Sequence, residues 1–474
     1  MSCFFEKVTH LFVIRDWVGK FMYQNKDIFQ GMSVPRAIAK FAIPTVLSQL
    51  VTLLYNLADT FFVGHTNDPS QVAALTLSFP IFMTLTMVGN LFGIGANSFI
   101  SRSLGQGDKK RAKKASTFAF YGALVTTLGI AFILLGFMQP ILTVIGAVTK
   151  ETFVATRKYL TWTVVCGGLP TVSALMLGHL IRSEGNTKQA SVGLALGGIL
   201  NIILDGLFVP ILGMGAEGAA IATLISNIVS FLYLLRIALK TEGTVIVLNP
   251  SKLTFEKQIA KQIILVGLPA ATLIILASTA NLVLTHFMSV YGDHSIAAYG
   301  IVQKIGSIAI QIAVGLTQGI MPLLGYCYGA GDLKRLKEIN KYSFVILGIY
   351  AAACVVMVEV FAETLVSLFI NEAATVEKAV SFVRVWFLCA PGMCFTNLFG
   401  SIFQAMGKWI PSLAISIVRQ VVLLMPLLVI LQALMGEFGL ICAQPIADTV
   451  TLLVGVVLYV SLMRKTKNNS SQSL

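Results

Sequence analysis

The 474-residue chain is 56% hydrophobic and only 12% charged, and its mean hydropathy of +0.83 excludes a soluble globular domain. A formal charge of +13 raises the question of a nucleic-acid partner. The basic residues gather between long apolar runs, however, so they report membrane orientation and no nucleic acid is expected. These runs lack the alternating pattern of a transmembrane barrel, and the fold class is an all-α integral membrane protein.

Residues 1–35 mix charges with aromatics in "CFFEKVTHLFVIRDWVGKF". They read as a cytoplasmic segment with an interfacial helix and without a secretory signal. Twelve runs near the ~20 residues needed to span a bilayer follow. They cover about 36–63, 71–101, 116–138, 158–181, 190–211, 217–239, 263–288, 295–325, 343–362, 385–406, 409–431 and 438–463. Six form an N-lobe (36–240) and six a C-lobe (263–463), joined by a polar linker (241–262) carrying "NPSKLTFEKQ". The tail 464–474 reads as disordered. With the N-terminus inside, 27 of the 34 Lys and Arg fall in cytoplasmic segments, whereas the outer loops hold Lys150, Arg157, Lys158, Lys378 and Arg384. Both termini are therefore expected in the cytoplasm. The seven cysteines form no CxxC pair and read as small core residues, with no metal site.

The two lobes repeat. "LGQGDKKRAKKA" (104–115) superimposes on "YGAGDLKRLKEI" (328–339), and Pro44 with Pro269, Asn56 with Asn281, Pro170 with Pro391 and Gly185 with Gly407 follow at similar offsets. Six spans per unit make the repeats parallel, related by a pseudo-twofold axis along the membrane normal, with a cavity expected between them.

Several stretches carry a family likeness: "FAIPTVLSQLVTLLYNLADTFFVGH", the paired loops "GQGD" and "GAGD", "GLTQGIMPLLGYCYGAGDLKR" and "RQVVLLMPL". Across about residues 30–463 the chain resembles the multidrug and toxic compound extrusion (MATE) family, most of all its bacterial branch that includes MepA and DinF. The resemblance implies a monomeric antiporter in the bacterial inner membrane. Such a protein exports small cationic amphipathic compounds by alternating access, in exchange for H+ or Na+. No GxxxxGK[ST] loop occurs, so ATP is not the evident energy source, and no HExxH or GxSxG motif points to an enzyme. No cofactor is expected beyond the coupling ion.

Intramembrane polar residues supply the candidate site. Asp59 and Asp205 lie at similar depths in the outer halves of spans one and five; Asn56, Asn201 and Thr223 fall at the same level. A charge in hydrocarbon costs about 2.5–3.5 kcal/mol on insertion scales, so this convergence suggests a pocket that holds a proton or a cation. In the resemblance, Asp59, Asn201, Asp205 and Thr223 match the N-lobe coupling-ion network. In the C-lobe, Asp448 either neutralises Lys304 or Arg419 or binds the positive charge of a drug. Span seven lacks the acidic residue typical of the sodium-coupled NorM branch, which favours coupling through Asp59 and Asp205. Phe79, Met83, Phe287 and Met288 are candidate cavity walls. Pro44 is a candidate hinge in the helix that carries Asp59. A lipid-linked oligosaccharide flippase of the same superfamily is the alternative, with Lys304 and Arg419 as its cations.

Overall fold

Apolar runs of this length fold as helices because the bilayer offers no partner for a free backbone N–H or C=O. A computed structural model describes residues 27–66, 68–147, 149–370 and 372–471. The expected interfacial helix lies mostly in 1–26, outside the described residues.

The N-lobe comprises α1 (Val34–Gly64), α2 (Pro69–Gly105), α3 (Lys109–Gly136), the short α4 (Met138–Val144), α5 (Lys150–Cys166), α6 (Gly168–Ser183), α7 (Thr187–Phe208) and α8 (Gly215–Lys240). The C-lobe comprises α9 (Lys257–Ser289), α10 (Asp293–Gly329), α11 (Leu333–Ser367), α12 (Ala373–Phe387), α13 (Ala390–Ala405), α14 (Trp409–Met435) and α15 (Glu437–Ser471). Ten helices are long and apolar enough to cross a membrane, and counting each of the bent pairs α5–α6 and α12–α13 as one span brings the total among the described residues to 12. The chain is a multi-pass membrane protein. Helices α3 and α11 begin well before their apolar runs, because "KKRAKKA" and "LKRLKEINK" are good helix formers that hydropathy overlooks. The tail departs from expectation for a similar reason. A helix already nucleated extends readily, and α15 carries residues 464–471 as helix instead of disorder.

Local chemistry explains the repeated motifs. Gly107 and Gly331 take φ of 79° and 73°, a left-handed turn that favours glycine. The next residue caps the following helix: the Arg111 N–H donates to Asp108 Oδ1 and the Arg335 N–H to Asp332 Oδ1, both at 2.9 Å. The bends of 47° and 43° occur beside Pro170 and Pro391, whose missing N–H cannot continue the preceding helix. An ion pair then braces each bent span within its lobe, Lys158–Glu217 at 2.8 Å and Lys378–Glu437 at 2.9 Å.

Each lobe has its own core. A further cluster straddles them at the end that carries "KKRAKKA", joining Phe41 and Ile94 to Leu323, Leu324, Tyr326 and Phe403. We call this the basic end. The Ser98 hydroxyl donates to the Gln404 carbonyl across it, and Arg335 Nη2 donates to Met32 O at 2.6 Å. Glycines allow the backbones to meet. A Cβ at Gly105 would strike the Tyr326 carbonyl and one at Gly329 the Arg102 carbonyl, a reciprocal contact that marks the pseudo-twofold axis. Gly267 meets the Leu91 carbonyl, and a Cβ at Gly315 would stand 2.7 Å from Val46 Cα. The linker lies against α3, with Ser116, Thr117 and Tyr121 donating to the Val245, Val247 and Leu248 carbonyls at 2.8, 2.9 and 2.6 Å.

Glycine at the seam has a testable consequence. Gly267→Val overpacks it by about 1–3 kcal/mol, enough to depopulate the closed arrangement while leaving each lobe folded. In a background with the native cysteines replaced, Gln49→Cys and Gln318→Cys report closure through a short bifunctional thiol cross-linker, since the native side-chain ends approach to 3.5 Å. Gly267→Val is expected to slow this cross-link several-fold at unchanged purified yield, and an unchanged rate would contradict the assignment.

Candidate functional site

Helix α7 can lie close to α1 because Gly198 faces it: a Cβ there would be 2.6 Å from Val51 Cγ1 and 3.2 Å from the Tyr55 ring. That approach sets Asp205, fully buried, and Asn201, one turn earlier, against Asp59, which is 7% exposed. Asn201 Nδ2 lies 3.4 Å from Thr223 Oγ1 on α8. Asp59 Oδ1, both Asp205 oxygens and Asn201 Oδ1 are buried acceptors with no donor among the described residues. Such a set can accept a proton or coordinate a small cation, because buried acceptors without partners are costly. The four residues that the resemblance matched to one network thus lie together.

Asn56 is differently engaged. Its Nδ2 donates to the Thr52 carbonyl at 2.8 Å and its side chain faces the cavity. Two phenols that the sequence reading did not single out complete the surroundings: Tyr55, one turn before Asp59, and Tyr159 from α5, both within electrostatic reach of Asp59. The spacing of Tyr55 from Asp59 could have signalled its place. Nothing local to α5 could have done so for Tyr159.

Between the lobes lies a cavity of about 420 Å³. Asn201 and Thr223 line it from one side, so they belong both to the carboxylate pocket and to the cavity wall. Amides and hydroxyls make up most of the rest of the polar wall, among them Gln49, Asn90, Gln318 and Asn397 with Thr52, Ser226, Thr396 and Ser416. Of the four expected wall residues, Met83 lines the cavity. Phe79 is exposed on α2, Phe287 packs against the C-lobe core and Met288 is fully buried within it, so these three lie elsewhere. Residue type identifies adaptable apolar side chains, but the helix face decides where they point. Pro44 sits where α1 meets α10, and α1 runs unbroken through it. His179 Nε2 lies 3.2 Å from Asn90 Oδ1.

In the C-lobe, Arg419 chelates Asp448. Nε bonds Oδ1, Nη2 donates to Oδ2 at 3.1 Å, and Gln444 Nε2 adds a bond to Oδ2 at 2.9 Å. Asp448 is fully buried, while Arg419 borders the cavity. Lys304 takes no part: it is exposed on α10, with Nζ 5.9 Å from the Phe369 ring centre. The MatE family model matches residues 44–207 and 269–430, one stretch in each lobe. The chain belongs to the MatE family. Multidrug export protein MepA of Staphylococcus saprophyticus is 31% identical over 443 residues, covering 92% of this chain and 95% of that protein. A crystal structure of MATE in complex with MaL6 superimposes with a TM-score of 0.88 at 25% identity, covering 94% and 99% of the two chains. An outward-facing multidrug resistance MATE transporter of the MOP superfamily gives 0.89 at 24% identity, covering 95% and 100%. The family resemblance and the all-helical fold expected from the sequence are thus both borne out.

Breaking a buried ion pair by removing one partner costs about 3–5 kcal/mol, mainly because the other charge is stranded. Asp448→Asn should therefore lower thermal stability and folded yield, and Asp448→Asn combined with Arg419→Gln should recover most of the loss. An Asp448→Asn protein of normal stability that fails to bind ethidium would instead make Asp448 a drug contact.

Proposed function

We propose that this MatE-family chain exports small amphipathic molecules, cationic ones among them, from the bacterial cytoplasm in exchange for H+ or Na+. Both termini and the basic end face the cytoplasm in this reading, following the distribution of Lys and Arg. It acts as a monomer in the inner membrane.

The observation that carries the proposal is the double membership of Asn201 and Thr223, which touch the carboxylate pocket and also line the cavity. An ion taken up at Asp59 and Asp205 reorients the same two side chains that a drug would contact. Ion and drug then disfavour one another, which is the coupling an exchanger needs. With the basic end sealed, the cavity corresponds to the state open toward the outside. Drug leaves and the ion enters here; opening of the glycine-lined seam would let the ion depart inward. Pro44, at the crossing of α1 and α10, is the place where α1 could bend during that change. Of the flippase alternative's two cations, Lys304 is not among the cavity-lining residues and Arg419 is paired with Asp448.

Asp59→Asn keeps size and hydrogen bonding but cannot exchange charge. The variant should fold, reach the membrane and bind ethidium, whereas gradient-driven efflux from vesicles should fall to background. Normal efflux by a well-expressed Asp59→Asn protein would rule the mechanism out.

A further inference from the structure

The cavity between the lobes ends, toward the basic end, on Arg182. This residue closes α6, is 3% exposed, and forms no ion pair among the described residues. Nη2 reaches Ser48 Oγ at 3.4 Å, near the limit of a hydrogen bond, and Nε is buried with no acceptor among the described residues. A guanidinium carries five N–H donors, and out of water it requires an anion or several good acceptors.

The cavity wall supplies no such anion. Asp448 is fully buried and both of its oxygens are engaged, while Asp59 and Asp205 stand behind the wall formed by Asn201 and Thr223. The same end of the cavity offers neutral polar groups, His179 with Asn90 and the Gln49 amide next to Ser48. Beyond them the wall turns apolar, with Met83, Leu175, Leu273 and Ile274. Gln404, the repeat counterpart of Arg182, is uncharged, so this feature belongs to one lobe.

We propose that Arg182 is an anion subsite of the central cavity, taking the carboxylate of an aromatic acid or zwitterion whose apolar body rests on Met83, Leu175, Leu273 and Ile274. The inference rests on the export reading and narrows its substrate class: a molecule bearing a carboxylate binds better than its ester. A planar guanidinium meets a carboxylate through two parallel N–H···O bonds, a geometry that lysine cannot reproduce.

Rhodamine B and its ethyl ester differ in the presence of that carboxylate, and fluorescence polarisation on the purified full chain reads the affinity of each. The wild-type protein is expected to bind the acid more tightly. Arg182→Gln should weaken the acid roughly tenfold while moving the ester less than about twofold, with Arg182→Lys falling between. Equal changes for the two dyes, in a variant that unfolds at the wild-type temperature, would overturn the subsite. Where Arg182→Gln does not fold, the wild-type ratio decides, and preference for the ester overturns it too. Failure of the wild-type protein to bind either dye would contradict the export reading itself, and the subsite with it.

Discussion

Two carboxylates facing one another across the α1–α7 contact, with acceptor oxygens that no described side chain satisfies, are the constraint around which the rest of the N-lobe is arranged. Two negative charges cannot remain that close in a low dielectric without a proton or a cation between them. Gly198 permits the approach, and Asn201 and Thr223 connect the pair to the cavity. In the proposed exchange, a change of charge here would alter the wall against which a substrate lies.

Symmetry of the scaffold does not extend to this chemistry. Both lobes repeat the same capped turn after their second span, the same proline-bent fourth span and the same bracing ion pair. The position in the C-lobe that matches Asp59 is Leu284, which is buried in that lobe's apolar core. The C-lobe instead buries a closed Arg419–Asp448 pair in which both carboxylate oxygens are engaged. The unsatisfied buried carboxylates thus lie in one lobe, while both lobes contribute amides to the cavity wall.

Span positions, the repeat and the Asp59–Asp205 convergence were legible in the sequence because each depends on a local signal: hydropathy, a turn glycine followed by a capping aspartate, or depth along a helix. The partner of Asp448 was narrowed to Lys304 or Arg419 by depth alone, and the choice required knowing which helix face each occupies. The same limitation misplaced Phe79, Phe287 and Met288, and it hid Tyr159, which arrives from a helix distant in sequence. Arg182 was counted as one more cytoplasmic charge, since the depth to which the cavity reaches cannot be read from a hydropathy profile. The helical tail escaped notice because polar composition lowers hydropathy without lowering helix propensity.

In the proposed exchange, ion and drug exclude one another through Asn201 and Thr223. The ethidium affinity of the purified wild-type protein, measured from mildly acidic to mildly alkaline pH with and without Na+, tests it most directly. Affinity should weaken as pH falls if the proton is the coupling ion, or as Na+ rises if sodium is, with about one ion displaced per dye bound. An affinity indifferent to both ions would contradict the account.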